Sequence, residues 1–143
     1  MRRMALALTG ALLSSTFLAG CGGSSAYCDT VKASTKTLDS FGQNRTDKAF
    51  TGYAATLEKI AADAPADIKA DWTTLADVTR AVLTAHKAVG LALEDMANTK
   101  KVDAIDPADL PKLNDAYQKF NNTTKQREAI VKNVKTECDI TLT

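Results

Sequence analysis

Apolar residues recur at steps of three and four along most of the chain after its first twenty residues. Side chains at this spacing share one face of an α-helix, because the helix makes one turn every 3.6 residues. The pattern therefore predicts an all-α fold for residues 26–143. The first predicted helix carries Tyr27, Val31, Leu38 and Phe41 on one face and ends at Gly42.

A second helix is predicted from the N-cap Thr46 to about Ala64. The threonine hydroxyl can accept a hydrogen bond from a free amide in the first turn, and Asp47 places a negative charge where the helix dipole favours one. Pro65 disfavours helical geometry in the preceding residue and suits the start of the next helix. The chain is therefore expected to reverse tightly at Pro65.

The third and fourth predicted helices carry the longest regular patterns. An unbroken alternation of steps of four and three predicts a heptad seam in each, and Asp109 serves as the cap of the fourth helix. The seam positions of the third helix are Ile68, Trp72, Leu75, Thr79, Val82, His86, Val89, Leu93 and Met96. Those of the fourth are Leu110, Leu113, Tyr117, Phe120, Thr124, Arg127, Val131, Val134 and Cys138.

These four helices predict an up-and-down four-helix bundle whose two long C-terminal helices form a coiled-coil-like hairpin. The first two helices are only about half as long as the last two at about 1.5 Å per residue. The far end of the hairpin is then expected to project as an arm, unless the third helix bends back near Gly90.

The first twenty residues form a different kind of segment. Arg2 and Arg3 precede an apolar run that ends in Leu18, Ala19, Gly20 and Cys21. The run is shorter than the about 20 apolar residues that a membrane-spanning helix needs, so its layout is that of a removable signal peptide. The predicted organisation is a signal peptide at 1–20, a Gly/Ser tether at 21–25 and the helical domain at 26–143.

The residues Leu18-Ala19-Gly20-Cys21 resemble the lipobox of bacterial lipoprotein precursors. The resemblance implies that a signal peptidase recognises Leu18, Ala19 and Gly20, and that the Cys21 thiol takes a diacylglycerol. The mature protein is then expected to be anchored by lipid on the outer face of the cell membrane, since two or more acyl chains give a stable anchor. The alternative is an ordinary secreted protein with an incidental Cys21. In its general composition and its terminal cysteine pair, the helical part is similar to small, functionally unassigned lipoproteins of high-GC Gram-positive bacteria.

Charge and cysteine content narrow the classes of function. Loss of the signal peptide lowers the Lys and Arg count from 18 to 16, against 17 acidic residues, so no basic excess for nucleic acid remains. With Cys21 committed to lipid, Cys28 and Cys138 lie near the two ends of the domain. In an oxidising compartment such a pair predicts a disulfide, and two free buried thiols are the alternative.

Few residues are candidates for catalysis or for binding a ligand or metal. His86 lies on the seam near Phe120 and Tyr117, where it is either a packed core histidine or a haem or metal ligand, with Tyr117 or Met96 as a second ligand. Thr79, Thr124 and Arg127 form a polar layer that either binds an anion or sets helix register. No enzyme motif or base-and-nucleophile set is present, so we expect no enzymatic activity, no cofactor and no metal.

The predicted arm carries the leading hypothesis of function. Its apolar side chains exceed what a two-helix seam hides, and exposed apolar patches mark partner surfaces. We expect a non-enzymatic binding or scaffolding module that contacts an envelope protein; a homodimer, or cover by the first two helices, is the alternative for this surface. A second hypothesis is a carrier of lipid or haem between the long helices. The candidate ligand or partner residues are His86, Leu93, Met96, Leu113, Tyr117 and Phe120.

Overall fold

The computed structural model describes residues 22–143, and this part of the chain contains helices and no strand. The all-α prediction is confirmed. The helices are α1 (Gly22–Asp39), α2 (Asp47–Asp63), α3 (Ala66–Ala88), α4 (Thr99–Asp103), α5 (Leu110–Asn121) and α6 (Thr124–Cys138), with a 3-10 helix at Leu93–Ala97 between α3 and α4.

The beginning of α1 differs from the prediction. Residues 22–25, predicted as part of a tether, form the first turn of α1. The first amides of a helix need no intrahelical acceptor, so small residues can extend a helix backwards from a well-packed segment. That segment contains Tyr27 and Val31, which are fully buried. The lipobox and Cys21 lie outside the described residues.

Helix α2 has the predicted boundaries. The Thr46 hydroxyl accepts a 3.1 Å hydrogen bond from the Ala49 amide, and the helix ends with Ala64 in extended geometry before Pro65. A second cap comes from outside the helix: the Glu94 carboxylate accepts from the Asp47 amide at 2.9 Å, while the Asp47 carboxylate accepts from the Leu93 amide at 3.0 Å. This reciprocal pair holds the 3-10 segment against the start of α2.

The prediction of a long third helix is wrong beyond Ala88. The heptad seam is buried as far as His86, but Gly90 then adopts a left-handed φ of +68°. The Leu91 amide donates to the His86 carbonyl at 3.1 Å and the Gly90 amide donates to the Lys87 carbonyl at 3.2 Å. This pair of bonds is a Schellman motif, which satisfies the last carbonyls of a helix and stops it. The chain bends back at Gly90, the exception that the sequence left open.

The prediction of a long fourth helix is also wrong, because α5 and α6 are separate. The break follows Asn121, in the run Asn121-Asn122-Thr123-Thr124, whose side chains compete with the helix for backbone hydrogen bonds. The Thr123 hydroxyl donates to the Phe120 carbonyl at 2.7 Å. In α6 the buried residue is Ile130, while its neighbour Val131, a predicted seam residue, is 44% exposed.

Two clusters of buried side chains make up the core. The first joins α1, α2, α3 and α6 and includes Tyr27, Val31, Leu57, Ile60, Ile68, Trp72, Ile130 and Val134. The second joins α2, α3, α5 and the segment after α3, and includes Phe50, Tyr53, Val82, Leu91, Leu93, Ile105 and Leu113. The folded-back segment thus supplies its own part of the core, and the described chain has no projecting two-helix arm.

Cys28 and Cys138 lie at disulfide-bonding distance, with their Cα atoms 5.2 Å apart. The predicted pairing is therefore confirmed. The pair joins the second turn of α1 to the last residue of α6 and packs against the first core cluster. Beside it, the Trp72 indole donates to the Tyr27 hydroxyl at 3.1 Å, and that hydroxyl donates to the Asn133 side chain at 2.9 Å.

Candidate functional site

A small cavity of about 180 Å³ lies over the first core cluster. Its deeper wall is apolar and buried, and comes from Leu57 of α2, Trp72 and Leu75 of α3, and Ile130 of α6. The part-exposed side chains of Leu38 and Leu142 also line it, the latter from the short tail after α6. An apolar wall with a few polar groups is the composition that small-molecule sites share.

The charged side chain of this cavity is Arg127. Its guanidinium carbon lies 4.9 Å from the centre of the Phe120 ring and 5.7 Å from that of Phe41, distances that fit cation–π contacts. One terminal nitrogen donates to the Phe120 carbonyl at 3.1 Å, whereas the buried Nε has no hydrogen-bond partner. Arg127 forms no ion pair within residues 22–143, and burial lowers the pKa of its guanidinium.

The break between α5 and α6 explains why Arg127 lies there. Because the helix is interrupted after Asn121, the Phe120 carbonyl is available to side chains, and both Thr123 and Arg127 donate to it. The Arg127 side chain, which bonds to the Phe120 carbonyl, therefore also lies over the Phe120 ring. The local sequence therefore fixes both the position of the cation and its contact with the ring.

The polar layer predicted from Thr79, Thr124 and Arg127 does not assemble. Thr79 is fully buried, but its hydroxyl donates at 2.7 Å to the carbonyl of Leu75 in its own helix. Thr124 is exposed at the start of α6. Arg127 lies apart from both threonines, against the aromatic rings of Phe120 and Phe41.

His86 is a hydrogen-bonded core residue. It is 1% exposed, its Nδ1 lies 2.9 Å from the Leu91 carbonyl oxygen, and its Nε2 lies 2.7 Å from the Tyr117 hydroxyl. Both ring nitrogens are therefore engaged inside the chain, and neither has a lone pair directed at a ligand. Within the described ranges, no group of three or more His, Cys, Asp or Glu side chains is placed to hold a metal ion.

The remaining residues of the predicted partner surface are mostly internal. Leu93 and Leu113 are buried in the second core cluster, and Tyr117 and Phe120 are half-buried against it. Met96, on the 3-10 helix, is 44% exposed. The expectation of an exposed arm was wrong because the segment after Gly90 folds over these side chains.

Sequence reasoning missed the cavity itself. Leu142 lies in a tail to which the helical pattern gave no role, and Phe41 was assigned only to the apolar face of the first helix. The chain turns at Asp139, which takes a left-handed φ of 53°, and the Thr143 amide then donates to the Asp39 carboxylate at 3.0 Å. The alternating apolar residues Ile140 and Leu142 were the available signal.

None of the helices described in residues 22–143 has the length and apolar character needed to cross a membrane. Comparison of the chain with protein-family models, with curated proteins and with solved structures gives no match. Any assignment of function therefore depends on the chain's own residues.

Proposed function

We propose that this chain is a lipid-anchored protein of the bacterial cell envelope whose helical domain binds a small apolar molecule without chemical turnover. The observation that carries the binding role is the cavity between α2, α3 and α6, with its buried apolar wall and its one cation. A site of this composition can hold a ligand by apolar contact, but the described residues around it offer no nucleophile and base pair.

The anchoring part of the proposal depends on the sequence. Leu18-Ala19-Gly20-Cys21 supplies the small residues and the thiol that lipidation needs, and the pairing of Cys28 with Cys138 is compatible with an oxidising compartment outside the cytosol. Lipid on Cys21 would attach the domain immediately before α1. The signal residues 1–20 would be absent from the mature protein.

An up-and-down four-helix order is part of the same proposal. Helix α1 contacts α2 and α6, and α3 contacts α2, α5 and α6. These contacts support four antiparallel positions, with α5 and α6 together in the fourth. Such bundles commonly place ligand sites between facing helices.

Binding of a protein partner is the second candidate, and it has less support. Leu93 and Leu113, which were expected to form the partner surface, lie in the core, so the surface on which that hypothesis depended is not exposed. A charge placed at Leu93 would be expected to unfold the domain rather than only to remove a partner. Met96 and Leu110, at 44% and 40% exposure, are what that surface retains.

Anchoring is tested by metabolic labelling with palmitate. We expect the wild-type chain to incorporate the label and Cys21→Ser to incorporate none, with Cys28→Ser as a labelled control for a second cysteine in the same chain. Absence of label from the wild-type protein, or recovery of the uncut precursor in the cytosol, would contradict the anchoring proposal.

Binding is tested by native mass spectrometry of the protein after mild extraction. We expect an additional mass from a bound apolar molecule, and we expect Leu142→Phe, which fills the cavity from the tail, to lose it. Leu110→Phe enlarges an exposed leucine that does not line the cavity and should retain the additional mass. A bare chain in the wild-type spectrum argues against the binding role.

A further inference from the structure

Arg127 is the one charged side chain among the described residues that line the cavity. A guanidinium stays protonated at physiological pH, so the apolar wall has a permanent positive charge beside it. That charge has no carboxylate partner within residues 22–143, and its buried Nε–H is not satisfied by the chain. The acceptor of a ligand in the cavity would therefore meet a positive charge that no carboxylate of the described residues compensates.

We infer that the cavity takes a monoanionic amphiphile, with its short apolar body against Trp72 and Leu57 and its carboxylate on Arg127. This inference rests on the proposed binding function and names the chemical class of the ligand. The volume of about 180 Å³ sets the size of the apolar body, because a dry cavity of about 150 Å³ in another protein holds one benzene molecule.

The charge of the ligand follows from the charge of the site. A carboxylate can accept two parallel hydrogen bonds from a guanidinium, and such charge-assisted pairs are stronger than neutral ones. A neutral ligand would leave the cation without a counter-charge, and a cationic ligand would be repelled. A phosphate monoester carries nearly two negative charges, of which a single arginine compensates only one.

The aromatic contacts prepare Arg127 for this role. Its stacking on Phe120 and Phe41 and its bond to the Phe120 carbonyl restrict the side chain before any ligand arrives. A restricted side chain loses less conformational entropy on binding, which favours affinity. The Asp39 carboxylate, which accepts from the Thr143 amide, is not among the residues that line the cavity.

The fluorescence of Trp72 reports ligand binding in the cavity directly. It is the only tryptophan in the chain, it is 1% exposed, and it lines the cavity. The whole lipidated chain, held in nanodiscs of zwitterionic phosphatidylcholine, is titrated with hexanoate, hexanol and hexyl phosphate while indole emission is recorded. The same titrations on Leu142→Phe, which fills the cavity, correct for partition of each compound into the lipid.

We expect a saturable change in Trp72 emission, with hexanoate binding at least tenfold more tightly than hexanol or hexyl phosphate. In Arg127→Gln the advantage of hexanoate over hexanol should disappear while hexanol still binds, which shows that the cavity is intact. Arg80→Gln removes an exposed arginine of α3 that pairs with Glu58, and it should leave all three affinities unchanged.

The alternative outcomes separate the two proposals. Equal affinity for hexanoate and hexanol in the wild-type protein overturns the anionic ligand but leaves the binding function. Tighter binding of hexyl phosphate overturns the carboxylate assignment. No saturable change with any of the three compounds overturns both proposals.

Discussion

His86 and Tyr117 are joined by a hydrogen bond of 2.7 Å between the imidazole Nε2 and the phenolic hydroxyl, which links α3 to α5. On the other side of the ring, Nδ1 lies 2.9 Å from the Leu91 carbonyl oxygen. A carbonyl only accepts, so Nδ1 carries the proton, and in the neutral ring Nε2 accepts from Tyr117. One imidazole therefore connects α3, the segment after Gly90 and α5.

Replacement of Tyr117 by Phe should destabilise the protein by about 1–3 kcal/mol, because it leaves the buried Nε2 without a donor. The measurement is urea unfolding followed by far-ultraviolet circular dichroism. In a His86→Leu background the same change should be nearly neutral, since no ring nitrogen remains to be satisfied. An equal loss in both backgrounds would show that the hydrogen bond is not the cause.

Replacement by alanine should have opposite effects on stability at Gly90 and at Gly52. Gly90 has a left-handed φ of +68°, so Gly90→Ala should cost about 1–2 kcal/mol of stability. Gly52 lies inside α2 with open space where the methyl group of an alanine would lie, so Gly52→Ala should stabilise by about 0.5–1 kcal/mol. Thermal unfolding of both variants measures the difference. Stabilisation by Gly90→Ala would contradict the Schellman stop after Ala88.

Loss of the pairing between Cys28 and Cys138 should lower stability strongly. In the chain-entropy model, closing a loop of about 100 residues contributes about 4.7 kcal/mol, and the two cysteines are 110 positions apart. We expect a much lower urea midpoint for the Cys28→Ala, Cys138→Ala double variant, with little change in the near-ultraviolet spectrum of the folded protein. Dithiothreitol should shift the wild-type midpoint but leave that of the double variant unchanged.

Alkaline pH should weaken the fold through Tyr27 and Tyr117. Burial raises the pKa of both phenols above the ordinary value of 10.0. Near and above pH 10 the unfolded phenols lose protons that the folded ones retain, so stability is fully present below that pH and falls as pH rises through it. Unfolding free energies at pH 8 and pH 10.5 measure the fall, which should be smaller for Tyr117→Phe. An unchanged fall in that variant would contradict the assignment.

Local signals in the sequence predicted much of the first half of the fold. Thr46 and Pro65 act through their own backbone and nearest neighbours, so the boundaries of α2 could be predicted without knowledge of the tertiary structure. The seam of α3 is buried as predicted up to His86, because a single helix preserves its phase. The pairing of Cys28 with Cys138 followed from the placement of two cysteines near the ends of the domain.

The helix predictions for the second half of the chain were wrong where a local signal ends a helix although the heptad spacing of apolar residues continues. The heptad spacing runs through Gly90 to Met96, but the Schellman motif ends the helix after Ala88. At Asn122 and Thr123 the helix is interrupted, and in α6 Ile130 is buried in place of the predicted Val131. The cavity is lined in part by Leu142 and Thr143 of the tail after α6, so helical periodicity alone could not predict it.

The cysteine pair has a further consequence for a chain cut by a protease. The segment between α3 and α5 is the longest connection between the major helices of the described chain, and it lies between the two cysteines. A nick there would divide the backbone, yet the two fragments would migrate as one species on a non-reducing gel and separate only after a thiol reagent is added. A severed molecule would therefore keep its α5–α6 piece attached to the piece that contains α1.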